Sequence, residues 1–208
     1  DVGSVQEHYF DKGYIMARVR PDTLLNMETD RVNITYTLTE GEVAYVNKIN
    51  VRGNTKTKDV VIRRELRIEP GERYDGAKLR RSKERLYNLG YFEDITFDTE
   101  ETDEPDKRDM VVDVKETKTG EFSFGGGFSS IDKLIGFVEI EQRNFDILNF
   151  PTFTGDGQDI KLRGEFGSTR KNYLLSWTEP WIFDKPLSFG FDLYASEHDK
   201  SSSTGYAY

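Results

Sequence analysis

The residues of this chain that could do chemistry fall into four groups. His8 and His198 could move protons, but no nucleophile–base pattern surrounds either, and neither reads as catalytic. The acidic run Glu100, Glu101, Asp103, Glu104 and Asp106 could attract calcium. It lacks the spaced ligands and the glycine of a calcium loop, so it reads as a solvated hairpin. Gly125, Gly126 and Gly127 could cradle a phosphate, yet no Lys-Ser or Lys-Thr follows at the required spacing and no helix begins there. Arg80, Arg81, Lys83 and Arg85 read as the solvated face of a helix, with anionic headgroups or an acidic partner as the alternative. The absence of cysteine removes disulfides, thiol nucleophiles and thiolate metal sites together. We therefore expect no catalytic residue, no metal and no cofactor. The net charge of -9 argues against nucleic acid as a partner, because phosphate contacts need an excess of Lys and Arg.

With catalysis set aside, the elements that would position these residues become informative. The stretch Gly120 to Ser130 places Phe122, Phe124 and Phe128 on one strand face, with Gly126 in the gap, and Ser123, Gly125, Gly127 and Ser129 on the other. Soluble strands rarely carry three consecutive glycines, which weaken pairing and leave nothing to pack. Upstream of this stretch helices and strands alternate; downstream only long alternating strands remain. The chain has 13% aromatic residues although 32% of it is charged, a balance that suits a membrane barrel, whose alternation hides its apolar face. No apolar run approaches the ~18 residues of a membrane-spanning helix. Nor does a positively charged start lead into an apolar core, so no signal peptide is expected in this sequence.

In chain order, Val5, Tyr9 and Lys12 form a stripe on a helix closing at Gly13, followed by strands at Tyr14 to Val19, broken by Pro21-Asp22, and at Arg31 to Thr39. Alternation from Val43 to Val51 predicts another strand. Thr57 is placed to cap a helix from Lys58 to about Arg67, with Val61, Ile62 and Leu66 buried. A second helix follows Asp75, buries Leu79, Ser82, Leu86 and Leu89, and closes on Gly90. Strands are then expected at Phe92 to Thr99 and Met110 to Lys115. Laying Glu7 to Val19 over Glu84 to Phe97 aligns Gly13-Tyr14 with Gly90-Tyr91, so the chain holds part of one repeat and all of the next. Beyond Gly120, about five strands can be counted, with charged or small polar residues on one face and Leu, Phe or Trp on the other, the lipid-out and lumen-in pattern of a transmembrane barrel. An amphipathic sheet packed on a soluble partner is the alternative reading of that pattern.

The strand, helix, helix, strand, strand unit, with VNKINVRGNT at Val46 to Thr55 and LYNLGYFEDITF at Leu86 to Phe97, resembles a POTRA domain. Two such units leading into a glycine-rich strand, with the turn WTEPWIF at Trp177 to Phe183, resemble the last POTRA pair and barrel onset of the BamA family, which inserts β-barrel proteins into bacterial outer membranes. The resemblance implies α+β POTRA repeats (β-α-α-β-β) followed by antiparallel strands of a partial transmembrane β-barrel. The boundaries are 1–41 for the end of one POTRA, 42–118 for a complete one and 119–208 for about five barrel strands. Single-chain barrels have at least eight strands, so the barrel part reads as a fragment. The chain departs from the family at Asp146 to Asp156, DILNFPTFTGD, which enlarges a short glycine turn.

Three sets of functional residues follow. An edge strand carrying Phe92, Asp94, Thr96 and Asp98 would receive an extended client by main-chain pairing. Phe122, Phe124, Gly125, Gly126, Gly127 and Phe128 would form the seam of the barrel and template incoming strands. Tyr173, Trp177, Trp181 and Phe183 would lie at the membrane interface. The implied partners are unfolded outer-membrane protein clients, outer-membrane lipids and accessory assembly proteins, and the implied location is the outer membrane with the POTRA domains in the periplasm. A POTRA-barrel secretion transporter and a soluble sheet-based scaffold are the competing readings.

Overall fold

Alternation of period two and stop signals at glycine organise the chain into the elements seen in a computed structural model, which describes residues 2–27, 31–130 and 133–198. The chain divides into two compact units, one of 1–55 with 62–116, the other of 56–61 with 117–208.

In the first unit, α1 (Val2–Asp11) leads into β1 (Arg18–Asn26) and β2 (Arg31–Thr39), an antiparallel pair in continuous register from Arg18↔Thr39 to Asn26↔Arg31. The sequence expectation of a break at Pro21-Asp22 is corrected, because Pro21 pairs with Tyr36 inside the ladder. Proline is admissible on a strand that has a single neighbour, where its missing N–H can face away from the partner. The stripe on α1 is also weaker than expected: Val5 and Tyr9 are half-buried and Lys12 is exposed. Then come β3 (Tyr45–Arg52), α2 (Asp59–Arg63), whose residues up to Val61 group with the second unit, α3 (Gly76–Asn88), β4 (Phe92–Glu101) and β5 (Lys107–Glu116). The sheet order is β3-β5-β4, with β5 parallel to β3 and antiparallel to β4.

Asp75 caps α3 by accepting from the Lys78 backbone N–H at 3.1 Å, and Leu79, Ser82 and Leu86 face the core. Gly13 and Gly90 end their helical segments with φ of +89° and +70°, a conformation that favours glycine, so the repeat seen in sequence is also a repeat of backbone geometry. The core is filled by Val46, Ile49, Ile62, Ile68, Leu86, Ile95 and Met110. The helix expected to run to Arg67 ends at Arg63. Beyond it Glu65 is buried and ion-paired to Arg85 at 2.6 Å, and the Arg67 N–H donates to Ser82 Oγ at 2.8 Å instead of continuing a helix.

The second unit is one antiparallel sheet in the order β10-β9-β8-β7-β6, built from β6 (Gly120–Ser129), β7 (Lys133–Phe145), β8 (Gln158–Gly167), β9 (Arg170–Glu179) and β10 (Phe189–His198). The five strands are those expected from alternation, most of them longer by a few residues. A row across the sheet reads Phe122, Ile140, Leu162, Leu175, Leu193; the neighbouring row on the opposite face reads Glu121, Glu141, Lys161, Ser176, Asp192. Period-two alternation in register on all five strands gives one apolar and one polar face.

Candidate functional site: two open strand edges

The first edge is β4, which among the described residues ends its sheet and pairs only with β5. A register irregularity between Phe92 and Asp94 sets its two faces. It turns Phe92 into the core at 4% exposure, while Asp94, Thr96 and Asp98 stay exposed and Ile95 is buried. Phe92 is thus a packing residue, its side chain buried while those of Asp94, Thr96 and Asp98 are exposed. Asp94 has a further contact that alternation could not reveal. Its Oδ1 accepts from the Ile95 N–H at 2.9 Å and from the Tyr87 hydroxyl at 3.2 Å, so one backbone donor of this strand is already engaged by the strand's own carboxylate. Phe97, Asp98 and Thr99 also line a cavity of about 380 Å³ with Phe10, Met16 and Leu79.

The second edge is β6, last in its sheet among the described residues. Its glycines do not interrupt the ladder: Phe124↔Val138, Gly125↔Phe137, Gly126↔Gly136 and Gly127↔Ile135 are consecutive pairs. Phe122, Phe124 and Phe128 are 63%, 75% and 82% exposed on the apolar face, far more than a soluble sheet leaves uncovered. On the opposite face Glu139 accepts from Arg163 at 3.1 Å and pairs with Lys161 at 3.1 Å, and Asn172 donates to Glu165 at 3.2 Å.

The four aromatic residues expected at a membrane interface lie at different points along β9 and the turn after it. Trp177 pairs in register with Phe191, packs against Phe189 and Phe191, and donates from Nε1 to Gln158 at 3.3 Å. Trp181 follows the end of β9, its N–H donating to Glu179 at 2.9 Å, and Phe183 is 90% exposed in a turn at φ +55°. Tyr173 lies four residues along β9 from Trp177, about 13 Å at the usual strand rise, and meets Phe166 edge-on.

The sequence marks the connection between β7 and β8 as an enlarged turn but does not show the contacts it makes. Asn144, at φ +56°, is buried; its amide donates to Thr57 Oγ1 at 2.9 Å and its carbonyl Oδ1 accepts from the Gly157 N–H at 2.9 Å. Asp146, 1% exposed, pairs with Lys58 at 2.9 Å, and Lys58 also reaches Asp156 at 2.9 Å. Burial presses the Lys58 ammonium down, but the two carboxylates outweigh it and hold the group above its ordinary range. The only sequence signals were an insertion rich in Asn and Asp and a lysine placed just before a helix. Lys56–Val61 belongs by these contacts to the second unit, and the helix expected to start at Lys58 opens there at Asp59.

The other chemical candidates have ordinary partners. Arg80 pairs with Glu7 at 3.0 Å and Asp11 at 2.9 Å, and Arg85 with Glu65, so half of the basic face is engaged inside the unit and the expectation of a wholly solvated face is corrected. His8 sits on α1 in the first unit and His198 ends β10 in the second. In the acidic loop Thr102 donates to the Glu104 and Lys107 carbonyls, and Glu104 pairs with Lys107 at 2.7 Å. No group of three or more potential metal ligands stands together among the described residues.

Two family models match, the POTRA model (surface antigen variable number repeat) over residues 44–117 and the Omp85 superfamily domain over residues 152–208. The outer membrane protein assembly factor BamA of Nitratidesulfovibrio vulgaris is 34% identical over 92% of this chain, and that of Neisseria meningitidis serogroup B is 33% identical over 95%. The chain spans about a quarter of the length of these relatives, 23% and 24%. The crystal structure of BamA from Haemophilus ducreyi lacking POTRA domains 1-3 superposes with a TM-score of 0.83 at 28% identity, over 97% of this chain and 36% of that one. CdiB from Acinetobacter baumannii, at 14% identity and a TM-score of 0.53, shares the fold alone. A POTRA segment leading into a glycine-rich strand and four more antiparallel strands, matched over nearly its whole length, makes this chain a member of the BamA family.

Proposed function

We propose that the protein assembles and inserts β-barrel proteins into the outer membrane without covalent catalysis. Its sheet of β6 to β10 lies in that membrane and its POTRA segment in the periplasm. Residues 1–41 form the end of one POTRA domain, 42–118 a complete one and 119–208 the opening strands of the barrel. Unfolded clients add as an extra strand along Asp94, Thr96 and Asp98 of β4, and the edge of β6 templates the incoming strand at the barrel seam. Tyr173, Trp177, Trp181 and Phe183 meet lipid at the membrane interface, and accessory assembly proteins complete the machine.

The observation that carries this reading is the pair of strand edges, β4 in the POTRA sheet and β6 in the barrel sheet, joined by only three residues between β5 and β6. Main-chain pairing has little sequence preference, which suits a receptor for many different clients. The large exposed aromatic face speaks against a soluble scaffold. The test is a disulfide tying β6 to the last barrel strand of the full-length protein. Assembly should stop under the lock and resume on reduction; undiminished assembly under a verified lock would overturn the proposal.

A further inference from the structure

The glycines of β6 are not equivalent. A side chain at Gly125 would meet the ring of Phe137 on β7, its Cβ only 2.7 Å from Cε1 and 3.0 Å from Cζ. The ring therefore lies on the glycine itself, in the space a side chain would need. The Arg163 guanidinium of β8 stands over the same ring, 4.7 Å from its centroid. Arg163 is in turn held by Glu139 at 3.1 Å and Glu165 at 3.5 Å. At Gly127, two residues on and on the same face, nothing lies within 4 Å of the corresponding position. Nearer the start of β6 the relation of Gly125 recurs on the opposite face. Gln142 lies over Gly120, Oε1 at 2.6 Å from where a Cβ would stand, with its amide donating to Thr119 Oγ1 at 2.8 Å and the Arg143 carbonyl at 2.7 Å.

We infer that Phe137, seated on Gly125 beneath Arg163, is a positioning residue that sets the register of β6 on β7, and that the strand is unclamped beyond Gly126. The physical basis is the weakness of glycine pairing itself. A slip by two residues keeps every side chain of β6 on its own face, so alternation alone does not forbid it. An aromatic side chain laid over a cross-strand glycine supplies the packing that the glycine lacks, and a slip that set the same ring over Ser123 would meet a side chain in that space. The cation over the ring adds to its hold. A two-residue slip would bring Phe137 opposite Ser123 or Gly127 instead of Gly125. The ring would then lie over a side chain in one direction, and would leave Gly125 uncovered in both. The consequence for assembly rests on the proposed templating role of β6: the clamped part would keep a fixed register while the part beyond Gly126 exchanges partners.

The test reads register directly in the full-length protein in native outer membranes. Cysteines at Phe124 and Val138 face each other in the observed register, whereas Phe122 and Val138 meet only after the two-residue slip that would lay the Phe137 ring over Ser123, since disulfides do not span diagonal neighbours. Phe137→Ala and Gly125→Ala should each raise slipped relative to in-register cross-linking by about threefold or more, the scale of one cross-strand pair. Phe137→Tyr, which keeps the ring, should restore the original ratio, and Gly127→Ala should leave it unchanged. If Phe137→Ala fails to reach the membrane, Gly125→Ala decides, because it displaces the ring without removing an atom. Original ratios in the membrane-inserted variants, or equal slippage in Gly127→Ala, would overturn the inference. Because the readout is register and not assembly, it stands apart from the disulfide-lock experiment.

Discussion

The buried amide of Asn144 donates to the hydroxyl of Thr57 at 2.9 Å, joining residues 87 positions apart in sequence. The same side chain accepts from Gly157, so one residue in a left-handed conformation organises both the segment before α2 and the return of the chain into β8. Asn144→Gly keeps the backbone conformation and removes both hydrogen bonds. It should destabilise this connection by about 1–3 kcal/mol, the cost of leaving buried polar groups unpaired. Limited proteolysis of the full-length protein should show faster cutting between 145 and 157, and an unchanged rate would refute the role.

Lys58 serves two carboxylates, but they are not equal. Asp146 is 1% exposed and Asp156 30%. Losing the cation leaves Asp146 charged and buried, while Asp156 can turn to water. Lys58→Met should therefore loosen the connection more than Asp156→Asn, by about 1–3 kcal/mol, below the usual cost for a buried pair because Lys58 itself is 44% exposed. Equal effects of the two variants on the same proteolysis assay would contradict this ranking.

The POTRA core should answer to single truncations. Leu86 is completely buried on α3. Leu86→Ala should cost about 2–5 kcal/mol through lost burial and the remaining cavity, lowering the urea midpoint of the first unit in the full-length protein. An unchanged midpoint would mean that α3 does not carry the core.

Asp94 occupies a donor on the edge that clients are proposed to use. Asp94→Ala should release the Ile95 N–H and raise cross-linking of an extended client peptide to β4, whereas Thr96→Ala should not. If both variants bind clients as before, the carboxylate has no part in controlling the edge.

Acid should act on the entry to α3. Glu72 accepts from Lys78 Nζ at 2.8 Å and 2.9 Å and from the Glu69 N–H at 3.0 Å, and these bonds, the Lys78 contact first, hold its carboxyl below the ordinary value of 4.5. A group depressed in the folded state contributes stability above its unfolded pKa and loses it as pH falls through the folded one. Amide protection in the first turn of α3 should thus fall below about pH 4.3 in the parent protein. Glu72→Gln should begin at the lower level at neutral pH and show no such step; a step of the same size in both proteins would assign it elsewhere.

Much of this architecture could be read from residue order because its dominant signals are local. Alternation placed all five strands of the sheet, and the glycines at 13 and 90 located two helix ends. The residues that escaped are those whose partners lie far away in the chain. Pro21 looked like a break because nothing local says that β1 has one neighbour. The burial of the Phe92 side chain could not be read because a register irregularity is invisible to period two. Phe137 was not singled out because its partner lies on another strand, and only the paired strand shows a glycine beneath its ring.

Thr57 and Lys58 precede Asn144 and Asp146 in synthesis, yet depend on them for their bonds. When the chain emerges, the segment leading into α2 must wait for the start of the barrel sheet before it can settle. Lys56–Val61 is therefore completed by a segment made 87 residues later, and it acquires its full set of bonds only once β7 has turned back toward β8.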